Sequence, residues 1–208
     1  MVRRYRRCSD QELRKGAVRR GRYYQATEFI QRVLDETRGQ ERSVSWFRKK
    51  IREFGAPKSA ELVREGKRSN TPFRGRLNMF FYSPKHKDTL PYYDRFPLVL
   101  PLERYSGGFM GINMHYLPIP LRTRLLDKLY EFSSNDKFDE TTRLTATYNR
   151  VRNIPLVKPT LHKYLYNFVE SPFRRIDADE FIVAALLPVQ RFKKATDRKV
   201  WRDSRGMI

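Results

Sequence analysis

The 208 residues suffice for one domain, or one domain with an appendage, and carry 44 Lys and Arg against 23 Asp and Glu, a net charge of +21. Such a charge opposes compaction unless an anionic partner offsets it, yet 14 Phe, 12 Tyr and 2 Trp supply a core and set aside a wholly disordered chain. The lone Cys8 excludes an intrachain disulfide or a cysteine-based zinc cluster, and no apolar run approaches the ~18–20 residues of a membrane span.

The charge divides the chain near Ser69-Asn70-Thr71-Pro72. Residues 1–76 hold 22 basic and 9 acidic side chains, and residues 77–208 hold 22 and 14. The reading is therefore a basic, mostly helical N-terminal segment (1–76) followed by an α+β body (77–208). Arg3 to Arg7 lacks apolar periodicity and reads as an arm that orders on a partner. Phe29, Ile30, Val33 and Leu34 form the stripe of a helix over Ala26 to Arg38, which Gly39 stops. Val44, Phe47, Ile51 and Phe54 stripe a second helix capped by Ser43, whose remaining surface Arg48, Lys49, Lys50 and Arg52 make basic.

From Leu77 the pattern changes. Leu77 to Tyr82 and Phe96 to Glu103 read as strands, with Pro97 and Pro101 arguing for edges or bulges. Ser106-Gly107-Gly108 turns the chain into a returning strand in which Phe109, Gly111 and Asn113 alternate with Met110, Ile112 and Met114. Both glycines are expected to need positive φ. Leu121, Leu125, Leu126, Leu129 and Phe132 mark a helix, and three more are expected at about 139–150, 159–170 and 177–187, the last capped by Asp177. An antiparallel hairpin or small sheet packed with C-terminal helices follows.

Catalytic chemistry is thin. Ser106-Gly107-Gly108-Phe109-Met110-Gly111 has neither the lysine nor the spacing of a phosphate loop. His115 is placed to meet Asp94 or Glu103, which suits a structural hydrogen bond better than a metal or a general base. The acidic groups Asp136, Asp139, Glu140 and Asp177, Asp179, Glu180 stand where predicted helices begin, where carboxylates serve caps and the helix dipole. No catalytic residue, metal ligand, cofactor or small-molecule substrate is assigned.

The arginines say more. Arg outnumbers Lys 30 to 14, and guanidinium groups fork onto phosphates and stack on rings as ammonium groups do not. Arg and Tyr interleave at Arg3-Arg4-Tyr5-Arg6-Arg7 and Arg19-Arg20-Gly21-Arg22-Tyr23-Tyr24, a composition suited to gripping nucleic acid. Arg3, Arg4, Arg6, Arg7, Arg19, Arg20, Arg22, Arg48, Lys49 and Lys50 are the expected DNA-binding residues. Tyr92, Tyr93 and Tyr105 are read as core ahead of stacking residues.

Several stretches carry a family resemblance. These are Phe80-Phe81-Tyr82-Ser83-Pro84-Lys85, Thr89-Leu90-Pro91-Tyr92-Tyr93-Asp94-Arg95-Phe96-Pro97-Leu98-Val99 and Gly108-Phe109-Met110-Gly111-Ile112-Asn113-Met114-His115-Tyr116-Leu117-Pro118. Leu121-Arg122-Thr123-Arg124-Leu125-Leu126-Asp127 and the segment from Phe173 to Phe192, with Leu187-Pro188-Val189-Gln190-Arg191-Phe192, extend it. Together, over about residues 78–204, they resemble the DNA end protector, or head completion, proteins of contractile-tailed bacteriophages. The resemblance implies a non-enzymatic virion protein, assembled in the host cytoplasm. It would bind the ends of packaged double-stranded DNA, complete the filled head and shield the ends from host exonuclease. Its partners would be DNA ends and other virion proteins, with no membrane. The alternatives are a structural neck, tail or baseplate component whose basic arm threads between subunits, a phage nuclease, and a ribosome-associated RNA binder.

Overall fold

The computed structural model describes residues 67–131, 143–144, 146–177 and 181–208, and of Ile182 and Val183 the backbone alone. The helices expected within residues 26–64 lie outside them. The fold is α+β. Among the described residues, eight strands form two sheets: β1 (Arg68–Ser69), β2 (Leu77–Met79), β3 (Tyr93–Asp94), β4 (Leu98–Tyr105), β5 (Gly108–Asn113), β6 (Leu161–Leu165), β7 (Phe173–Ile176) and β8 (Phe192–Lys193). The larger sheet runs in the order β1-β7-β2-β4-β5-β6 with every pairing antiparallel, and β3 pairs with β8 in a separate two-stranded ladder. The helices among the described residues are α1 (Ile119–Tyr130), α2 (Tyr148–Val151), α3 (Phe181–Leu186) and α4 (Asp197–Arg205).

The β4–β5 hairpin lies between β2 and the edge strand β6. Leu100 lies opposite Ile112, and Val99 opposite Asn113, so alternate residues enter opposite faces. The register shifts between Pro101 and Glu103, which places the proline's missing donor at a bulge. On one face Phe80, Tyr82, Val99, Phe109, Tyr164 and Phe173 make an aromatic cluster. Phe80 meets Tyr164 edge-on at 5.4 Å between centroids, and Phe109 stacks on Tyr164 at 5.2 Å. Such pairs add about 0.5–1.5 kcal/mol each beyond simple burial. The other face carries Leu77, Met79, Leu98, Leu100 and Ile112, all buried. Leu125, Leu126 and Leu129 of α1 are buried as well, and α1 packs on α3.

Several elements differ from the sequence reading. The stretch expected as a helix at about 159–170 is a 3-10 turn (Pro155–Thr160) followed by β6 and a second 3-10 turn (Tyr166–Phe168). His162 and Tyr164 alternate there with Leu161, Lys163 and Leu165, a period-two pattern that pairs along the edge of β5. Of the helix expected at about 139–150, the described residues hold only the single turn α2. Among the described residues the last predicted helix begins at Phe181, and Asp177 forms an ion pair with Arg175. Within α1 the buried stripe takes in Arg122, while Leu121 is only half-buried. Strand β7 and helix α4 have no counterpart in the sequence reading.

The hairpin glycines need their missing side chains for different reasons. Gly107 has φ +80° with open space around it. Gly108 does not share the expected positive φ; a Cβ there would lie 2.1 Å from the Tyr164 carbonyl oxygen of β6. Gly107→Ala should therefore cost about 1 kcal/mol, the backbone penalty alone. Gly108→Val must push β6 away from β5 and should cost about 3 kcal/mol or more. Urea unfolding of the full chain checks this order, and equal costs at the two positions would contradict it.

Candidate nucleic-acid interface

The ten expected DNA-binding residues, Arg3 to Lys50, lie outside the described residues. Within the body, the sequence brings together a buried polar network and, beside it, an aromatic cavity. The network begins where β5 ends. Asn113 caps a 3-10 turn (Met114–Tyr116) by accepting from the His115 amide at 3.0 Å, which turns His115 towards β3. The imidazole Nδ1 then lies 2.7 Å from Asp94 Oδ2. The other carboxylate oxygen, Oδ1, accepts from the Phe96 and Arg191 amides at 3.0 and 3.1 Å.

Of the two partners expected for His115, the structure selects Asp94; Glu103 instead accepts from the Tyr148 amide at 3.1 Å. Burial pushes the Asp94 carboxyl up, but His115 and the two amides more than offset this and hold it below its ordinary value. Burial drives His115 down, and the Arg122 charge adds to this against the pull of Asp94. A neutral imidazole donating to an ionised carboxylate satisfies both. Both side chains are closed to solvent, so the pair fastens the β3–β8 ladder to the end of β5 and presents no open general base. Among the described residues no group of three or more His, Cys, Asp or Glu is arranged to hold a metal ion.

Arg122 carries the network onward. Its side chain is fully buried, with Nε donating to the Leu117 carbonyl at 2.8 Å and Nη1 to the Ala185 and Leu187 carbonyls at 3.1 and 3.4 Å. Nη2 donates to the His115 carbonyl at 3.4 Å and to Gln190 Oε1 at 3.1 Å. Gln190 in turn donates to the Asp197 carboxylate of α4 at 2.8 Å, and Trp201 Nε1 donates to the His115 carbonyl at 2.9 Å. Burial lowers the guanidinium to about 9, so it stays charged at neutral pH.

The network supports a cavity of about 390 Å³ between the β3 loop, β6 and the end of α4. Tyr92, Tyr93, Tyr116 and His162 are among its walls, and Lys158 and Lys163 also line it. Tyr92 and Tyr93 are half-buried, so neither is the core residue expected of it, and Tyr105 is exposed on the hairpin. His162 lies against Tyr116 with centroids 4.0 Å apart. Its Nε2 is buried without a hydrogen-bond partner among the described residues. The exposed face of α4 is basic, with Arg198, Lys199, Arg202 and Arg205. Arg122, Lys158, His162 and Lys163 escape the sequence reading as site residues. An arginine standing three and four residues before Leu125 and Leu126 is the available signal for the first. The other three lie in or beside the stretch that reads as a helix.

Comparison with protein families decides the kinship. The family described as Phage T4 terminal DNA protecting protein matches residues 26–204. The chain belongs to that family. The match covers the whole of the resembling stretch and reaches back to residue 26, into the basic segment that carries no resemblance of its own. Searches of curated proteins and of solved structures gave no match. In this member of the terminal DNA protecting family, the cavity's tyrosine, histidine and lysine walls and their buried support fall inside the matched residues.

The cavity wall carries a pH signature. Burial lowers the His162 imidazole to about 4, partly opposed by a hydrogen bond to the Pro159 backbone. The unfolded chain takes up that proton near 6.5, so it binds more protons than the folded chain between about 6.5 and 4. The stability is fully present above that window and falls as pH drops through it, by at most ~1.4 kcal/mol per pH unit for this group. Comparing urea unfolding at about pH 7 and about pH 4.5, on either side of most of this titration, His162→Phe should lose less stability than the wild type. An equal loss in both would contradict the assignment.

Proposed function

We propose that this protein binds the ends of the packaged double-stranded phage genome, shields them from exonucleases and completes the filled head as a virion component built in the host cytoplasm. The family match over residues 26–204 carries this reading. The net charge of +21 supports it, since neutralised phosphates release counterions and favour association with DNA. Arg3, Arg4, Arg6, Arg7, Arg19, Arg20 and Arg22 of the arm, with Arg48, Lys49 and Lys50, grip phosphates, and other virion proteins hold the body in place. The protein works by occupancy: it covers a terminus and cuts nothing.

Two measurements test this. Affinity for linear duplex should fall steeply with salt, log K against log[salt] sloping at roughly −0.9 per phosphate contacted. Replacing Arg3, Arg4, Arg6 and Arg7 together with Ala should flatten that slope by roughly 0.9 for each phosphate no longer neutralised. A flat salt response in the intact protein would favour protein partners and the structural neck or baseplate role. Incubation with plasmid and linear DNA in Mg²⁺ or Mn²⁺ should leave both uncut. Cleavage abolished by Asp179→Ala, and retained when the arm is neutralised, would overturn the non-enzymatic reading.

A further inference from the structure

We propose that the cavity beside β6 receives the terminal nucleotide of a frayed or overhanging DNA strand. Its base would lie against the tyrosine walls, with its phosphate at Lys158 and Lys163. The inference deepens the end-binding reading and depends on it.

Four observations converge. The volume of about 390 Å³ falls in the ~300–1,000 Å³ range of sites that enclose a small ligand. A base still paired in the duplex brings its partner and its stacked neighbour with it, so the occupant must be an unpaired terminal residue. The walls are flat π-surfaces: Tyr92 and Tyr93 are half-buried, each with part of its surface left open, and a stacking site accepts any base because every base has a π-face.

The charge is complementary to a nucleotide. Lys158 and Lys163 are exposed, and no carboxylate among the described residues is paired with either; the Lys163 ammonium stands over the Tyr105 ring, 6.0 Å from its centroid, a contact that a phosphate would have to draw it from. The one carboxylate of the lining among the described residues, Asp94, is already occupied by His115 and by the Phe96 and Arg191 amides. Finally, His162 lines the cavity with its Nε2 buried and without a partner among the described residues. A neutral imidazole has one acceptor nitrogen, and the amino groups of adenine, cytosine and guanine are matching donors. A hydrophobic peptide would bring no anion to Lys158 and no donor to this nitrogen.

The test uses the full chain and duplexes carrying 2-aminopurine, whose fluorescence falls when it stacks on an aromatic ring. The probe should be quenched at the last nucleotide of an overhang and unchanged about ten base pairs inwards, beyond the reach of a site that holds one base. An open end with an overhang should bind roughly tenfold or more tightly than the same duplex closed by hairpins. In the Lys158→Glu, Lys163→Glu double variant, both the quenching and that preference should be lost, while salt-dependent binding to the closed duplex persists. Equal quenching at terminal and internal positions, or an open-end preference unchanged in the double variant, would overturn the proposal and leave end binding intact. Equal affinity of the wild type for linear and circular DNA would remove end binding itself, and the cavity assignment with it.

Discussion

The body of this protein is organised around a fully buried cation, Arg122. Bringing a guanidinium out of water costs several kcal/mol, and among the described residues no carboxylate touches Arg122 to offset it. The compensation comes from four backbone carbonyls and a glutamine side chain, drawn from the turn after β5, the end of α3 and the approach to α4. The Leu117, Ala185 and Leu187 carbonyls stand at the ends of short helices and turns, where acceptors are left over, and the His115 carbonyl shares its second lone pair with Trp201. The guanidinium thus serves as a common cap for three chain segments. Trp201 lies beside it, with the Arg122 Cζ 5.7 Å from the ring centroid.

From that hub the structure leads to the cavity by two routes. Through the His115 carbonyl, Arg122 fixes the turn that aims His115 at Asp94, and Asp94 holds the Phe96 and Arg191 amides at one end of the β3–β8 ladder. Through Gln190 and Asp197 it positions α4, whose Ser204 lines the cavity together with Met207 just beyond the helix. Tyr92 is then held by a hydrogen bond to Asp203 of the same helix. An aromatic cavity whose lining includes Lys158 and Lys163 therefore sits on a polar frame, the arrangement a site needs if its rings are to stay in place when a ligand arrives.

Much of this is legible in the residues, and the limits have physical causes. The β4–β5 hairpin is readable because period-two alternation, a glycine turn and a proline at the bulge agree. The 161–165 stretch is not, because Leu161, Tyr164, Leu165 and Phe168 also satisfy helical spacing; only pairing with β5 decides between them. Strand β7 escapes notice because Arg174 and Arg175 stand at the centre of a four-residue strand, and Arg174 is buried there against expectation for its type. The Asp94–His115 pair is foreseeable only as one of two options, since a contact across 21 residues needs the ladder with β8 to be chosen. Arg122 is hidden by the rule that charges belong outside, and Lys158, His162 and Lys163 by the helix assigned to their segment.

Protection of DNA ends is read directly by digesting linear duplex with an exonuclease in the presence of the purified protein. Digestion should be delayed in proportion to the fraction of ends occupied, saturating when the ends are covered, while an endonuclease cutting at an internal site proceeds at its usual rate. Equal slowing of both enzymes, growing with protein bound per length of DNA, would mean that the protein coats duplex without regard to its ends and would contradict the account.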